Sequence, residues 1–139
     1  MTNPRLAITA TCKENPQCLF KGEDVFMDIK ITNTQKVSVE FPFDYIQKTG
    51  PTIRLIDTRT KKETYLRKNL ADFDLKERFT LIKPGESIIL EWVISPYELQ
   101  QFGLEHVDVI AEITVMASIR TQGETVEFRD TAMLRIVSY

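Results

Sequence analysis

Apolar side chains occupy every second position over most of the last third of this chain. Val107, Val109, Ala111, Ile113, Val115 and Ala117 form the longest such series. After "TQGE" at 121–124 the series resumes with Val126, Phe128, Ala132, Leu134 and Ile136, and Asp130 is its one exception. A period of two means strands with one buried and one wet face. The short polar, Gly-containing break between two such runs reads as a β-hairpin.

The same period recurs upstream, in Val25, Met27, Ile29 and Ile31 and in Ile88, Leu90, Trp92 and Ile94. Turn signals separate the runs: "NTQK" at 33–36, "TGP" at 49–51 and "KPGE" at 83–86. In the last, Pro84 suits the second position of a turn and Gly85 supplies positive φ at the third. The pattern predicts strands near 5–12, 24–33, 37–41, 51–57, 79–82, 86–94, 105–119 and 124–137. Regular strands with short turns in a chain of 139 residues, 42% hydrophobic and 27% charged, predict an all-β fold. The expectation is one immunoglobulin-like antiparallel β-sandwich domain over residues 1–139, with Trp92 inward as a core anchor.

Two segments depart from the period. "SPYELQQFG" at 95–103 predicts a short helix over about 95–102. Ser95 is its N-cap, Pro96 its first residue, Glu98 closes a capping box and Gly103 stops it. The charge-dense "RTKKETYLRKNLADFDLKER" at 59–78 places Leu66, Leu70 and Phe73 at i, i+4 and i+7, the spacing of a short amphipathic helix.

"FTLIKPGESIILEWVISPYELQQFG" at 79–103 combines an aromatic, an apolar pair, a Pro-Gly-Glu turn, an apolar strand and a short Tyr-containing segment before Gly. With "MDIKITNTQ" at 27–35 it resembles small immunoglobulin-like sandwiches of the BsuPI-type intracellular proteinase inhibitors and of deuterolysin-type propeptide domains. The resemblance covers about a third of the chain. It implies a module that docks on a peptidase or another protein. The chain departs from the propeptide case in having no HExxH metal motif, and no functional residue of either family maps onto it position by position.

The chemistry-bearing residues are few. His106 is the single histidine; it lies at a strand start on the outward parity, with no nucleophile elbow to serve. One histidine and two cysteines fall short of a tetrahedral zinc set. Asp72 and Asp74 lack the spacing of a calcium loop and read as solvated carboxylates. The glycines stand singly, so no phosphate-cradling loop is present. The net charge of −2 and the scattered basic residues argue against nucleic acid, and no apolar run is long enough to span a membrane. The reading is therefore of no enzyme, no cofactor, no metal and no catalytic residue.

Cys12 and Cys18 are the only cysteines. Their spacing does not fit the C-x-x-C of a redox helix. Pro16 breaks regular pairing between them, and a returning loop would bring the two α-carbons to disulfide distance. A Cys12–Cys18 disulfide implies an extracytoplasmic protein, periplasmic or secreted, with its signal peptide removed. Free thiols are the alternative, with a cytoplasmic location.

Binding residues are sought among exposed aromatics rimmed by charge. "FPFDYIQKTG" at 41–50 offers Phe43 and Tyr45; the 59–78 segment offers Tyr65, Leu66, Leu70 and Phe73. The leading expectation is a protein-binding module, an inhibitor or immunity-type partner of a peptidase or toxin. The alternative is a structural or accessory domain of a cell-envelope or secretion assembly, and outward Ile110 and Met116 leave room for a homodimer.

Overall fold

A computed structural model describes residues 6–14 and 17–138. In chain order its elements are β1 (Leu6–Cys12), β2 (Leu19–Phe20), β3 (Val25–Asn33), β4 (Val39–Phe41), α1 (Phe43–Thr49), β5 (Thr52–Asp57) and β6 (Glu63–Tyr65). A 3-10 turn at Phe73–Glu77 leads to β7 (Thr80–Ile82) and β8 (Ser87–Ile94). Then come α2 (Pro96–Leu99, prolonged as 3-10 through Phe102), β9 (Asp108–Thr121) and β10 (Glu124–Ser138).

The strands form two sheets, one of three strands in the order β1-β3-β8 and one of seven. The second is built on the β9–β10 hairpin, whose register runs from Thr121 opposite Glu124 to Asp108 opposite Val137. Gln122 and Gly123 both have positive φ, the turn geometry that matches the twist of the flanking strands. The inward residues of the two sheets, among them Met27, Ile29, Ile31, Leu90, Ile113 and Val115, are fully buried in one apolar cluster. The fold is the all-β, immunoglobulin-like sandwich that the alternation predicts.

The first strand is divided between the two sheets. β1 pairs antiparallel with β3, whereas β2 pairs with β10, and that pair is parallel. The crossing is closed by a disulfide between Cys12 and Cys18, with α-carbons 5.4 Å apart. Pro16, invoked above for this crossing, and Arg5, placed in the first strand, lie outside the described residues.

Each margin of the three-stranded sheet is met at one residue by a side chain from outside that sheet. At β1 the Ile8 N–H donates to Asp130 Oδ2 at 3.3 Å. Asp130, the polar exception on the inward parity of β10, therefore occupies a strand edge that an apolar residue would leave unsatisfied. At β8 the Gln47 side chain bonds the main chain of Glu91. Buried Asn33 joins the sheets at the end of β3: its Nδ2 donates to the carbonyls of Val37 and Ile82 at 2.8 Å each, and its Oδ1 accepts from the Gln35 N–H.

The predicted short helix is present, with Ser95 and Glu98 forming both halves of the capping box. The "KPGE" turn has Gly85 at φ +80° and closes through Glu86 N–H to Lys83 O at 2.9 Å. Two expectations need correction. The sequence predicts one short helix, near 95–102; Phe43–Thr49 form a second, of seven residues. The helical stripe Leu66–Leu70–Phe73 does not form. Leu66 continues the β6–β5 pairing, its N–H donating to Ile53 O at 2.9 Å, and it is buried, while Leu70 is 94% exposed. Pairing with β5 takes the first residue of the stripe out of any helix.

Candidate functional site

β4 and β5 behave as one neighbour of β9 that has been cut in two. Glu40 lies opposite Arg120 and Thr52 opposite Thr114. Between these two pairs lie eleven residues on this side, 41–51, against five on β9, 115–119, and the surplus leaves the sheet as α1. Pro42 precedes the helix and its carbonyl accepts from Ile46 N–H. Asp44 in the first turn and Lys48 in the last complement the helix dipole. Gly50, at φ +87°, ends it. An added Cβ at Gly50 would stand 2.5 Å from the indole of Trp92, so the tight exit from the helix also seats the tryptophan.

Where the sheet is cut, a groove of about 440 Å3 opens. Met116, Ala117 and Ser118 of β9 contribute to its floor, Tyr45 and Ile46 of α1 to one wall, and Phe73, Lys76 and Phe79 to the other. The Lys76 ammonium sits over two rings at once, 5.0 Å from the centre of Tyr45 and 4.7 Å from that of Phe73. The Arg120 guanidinium covers Phe79 at 4.3 Å and reaches Glu77 at 3.5 Å. Such cation–π contacts contribute about 0.5–1 kcal/mol each at exposed sites. Glu127, bonded by the Ser118 hydroxyl, completes a rim with two positive and two negative side chains.

Of the residues singled out from sequence, Tyr45 and Phe73 meet in this groove. Leu66 lines a second, more open depression of about 520 Å3 on the far side of α1, with Phe26, Trp92 and Val93. Phe43 packs against the core. Tyr65, on β6, and Leu70 are exposed and line neither hollow. Phe79, Lys76 and Arg120 were not legible as site residues, because only the return of the 66–79 segment to α1 brings Lys76 and Phe79 beside Tyr45 and the Arg120 of β9.

Other polar groups hold the frame. Arg54 spans three strands, reaching Glu63 at 3.2 Å and Glu112 at 2.8 Å. Arg135 grips Asp108 through two bonds of 2.9 and 2.6 Å and holds that carboxyl below the usual carboxylate range. Buried Asp57 is likewise lowered, first by the Thr60 hydroxyl that donates to it. Asp57 thereby closes the β5–β6 turn. His106 is exposed, and its carbonyl accepts from Arg59 at 2.9 Å. Among the described residues no three His, Cys, Asp or Glu side chains are grouped to hold a metal, and no helix is long and apolar enough to cross a membrane.

No family model matches this chain. No curated protein matches it either. Among solved structures it is similar to the Bordetella pertussis protein assigned as ApaA, with 12% identity and a TM-score of 0.45 over 94% of this chain and 93% of that one. A Northeast Structural Genomics Consortium target gives 11% identity and a TM-score of 0.42 over 94% and 84%. A β-glucosidase of Erythrobacter marinus gives 11% and 0.44, covering 96% of this chain but 15% of the enzyme. At this distance the likenesses carry no argument about activity.

Proposed function

We propose that this chain is a non-enzymatic protein-binding module, an inhibitor or immunity-type partner of a peptidase or toxin, working outside the cytoplasm. The observation that carries the reading is the groove in which Tyr45 and Phe73 flank Lys76. Aromatic walls rimmed by balanced charge suit the buried anchor of another protein. The Cys12–Cys18 disulfide supports an oxidising compartment.

The test is affinity purification of the oxidised full chain from the source organism. One stoichiometric peptidase or toxin is expected, lost when Tyr45→Ala and Phe73→Ala are combined. Retention of the same protein by that double variant overturns the groove as the site. A concentration-dependent mass with no foreign partner favours the second reading, an accessory domain of an envelope or secretion assembly. Met116 and Met133, both at least half exposed on the outer face of the β9–β10 hairpin, speak for that reading.

A further inference from the structure

β9 has an unused stretch of edge. On its β10 side, the residues that exchange main-chain bonds are the odd-numbered ones. This follows from the two-residue turn closed by Thr121 and Glu124 and from Ser138 N–H donating to Val107 O at 2.7 Å. The even-numbered residues face the other way. Asp108 O accepts from Thr58 N–H at 3.0 Å; Ile110, Glu112 and Thr114 lie opposite β5; and Arg120 lies opposite β4. Met116 and Ser118 fall between, with no strand across from them.

The residues that would continue the two half-strands are occupied elsewhere. Pro42, next after β4, has no N–H, and its carbonyl accepts from Ile46. The Gly50 N–H, just before β5, donates to Ile46 O at 2.8 Å. No described residue supplies a hydrogen bond to the main chain of Met116 or Ser118 on this side. Unpaired strand edges usually lie at the margin of a sheet; this one lies inside it and opens into the groove. Ala117 points toward the core yet contributes to the groove floor, so the groove reaches past the sheet's outer face to the strand edge.

We propose that the groove binds an extended peptide segment of another protein by strand addition to β9 at Met116 and Ser118. The inference rests on reading the chain as a protein-binding module and names how it binds. Two main-chain donors and two acceptors at strand spacing select an extended backbone. About 20 Å of β9 separates Thr114 from Arg120, room for three or four residues. Side chains alternate on such a segment. The outward ones meet Tyr45, Phe73 and Phe79, and the inward one meets Ala117 and Ile46. The rim charges balance, so the complementary segment is uncharged and carries a large apolar side chain on its outward face.

The experiment uses the full oxidised chain, a phage-displayed library of random 12-residue peptides and residue-resolved amide exchange. In the free protein the amides of Met116 and Ser118 exchange at least about tenfold faster than that of Ala117, which bonds β10. Enriched peptides slow both amides. N-methylation of the bound peptide costs about tenfold or more at the residues that face β9 and little at the alternate ones. Equal protection of all three amides in the free protein overturns the proposal, and so does a library that enriches nothing. Peptides that bind while Met116 and Ser118 keep exchanging overturn strand addition but leave the protein-binding reading standing. That reading falls separately, on the stoichiometric partner of the affinity purification.

Discussion

The side-chain amide of Gln47 pairs with the main chain of Glu91 as a second peptide group would. Its Nε2 donates to Glu91 O at 2.9 Å, and its Oε1 accepts from Glu91 N–H at 3.1 Å. One glutamine on a seven-residue helix thereby caps the open margin of β8 at Glu91. Gln47→Ala is expected to cost about 1 kcal/mol, the net value of partly solvated hydrogen bonds, read as a lower denaturant midpoint with an unchanged slope. Gln47→Glu keeps both a donor and an acceptor while protonated, so at low pH it lies closer to wild type than alanine does; ionised, it sets a carboxylate against Glu91 O and falls below alanine at neutral pH. An alanine variant as stable as wild type would show that water replaces the clamp without loss.

Gly50→Ala is expected to destabilise by about 2–3 kcal/mol. The new Cβ meets the Trp92 ring at 2.5 Å, an overpacking cost of about 1–3 kcal/mol, and the residue must keep φ at +87°. Tryptophan fluorescence reports the same event, because Trp92 is the only indole. Adding Trp92→Leu should recover the steric part and leave the backbone part.

Asn33→Ala removes the donor to Val37 O and Ile82 O from a residue 1% exposed. Leaving buried carbonyls unpaired costs about 1–3 kcal/mol each way. The expected loss is about 3 kcal/mol in thermal or chemical unfolding. Asn33→Asp is expected to be at least as damaging, because it sets a carboxylate against two carbonyl oxygens.

Reduction of the Cys12–Cys18 disulfide, or replacement of both cysteines by serine, should lower stability by about 2 kcal/mol in the chain-entropy model for so short a loop. The far-ultraviolet spectrum should remain that of a β protein. Complete unfolding on reduction would show that the sheet crossing depends on the bond.

Asp57 and Asp108 both titrate below the ordinary carboxylate range, held there chiefly by the Thr60 hydroxyl and by Arg135. A carboxyl whose folded pKa is depressed adds stability that is present above its unfolded value, about 3.9. That stability is lost as pH falls through the lower folded value. Denaturation free energy should therefore fall as pH drops below about 4. Asp57→Asn should flatten that fall at some cost at neutral pH. An identical slope in the variant would remove Asp57 from the account.

The strands were legible because burial on one face writes itself into alternate residues; the series Val107–Ala117 and the "TQGE" turn settle the central hairpin unaided. The capping box at Ser95 and Glu98 was legible because it is made within four residues. α1 was not. It begins without a side-chain cap bond, is too short to show a stripe, and exists because β4 and β5 share β9 with surplus chain between them. β2, two residues long, owes its assignment to β10 alone. Tyr45 and Phe73 stood out as aromatics among charges, but their meeting over Lys76 depends on the path of 66–79, which no local rule determines.

The divided first strand sets an order on assembly as the polypeptide leaves the ribosome. Cys12 and Cys18 are six residues apart and can meet as soon as they are exposed to an oxidant. Leu19 and Phe20 lie against Val137 and Ser138 and must wait until translation has delivered the final strand. Where an oxidant is met before β10 is free to pair, a local covalent loop is closed ahead of the long-range zipper that shuts the sandwich.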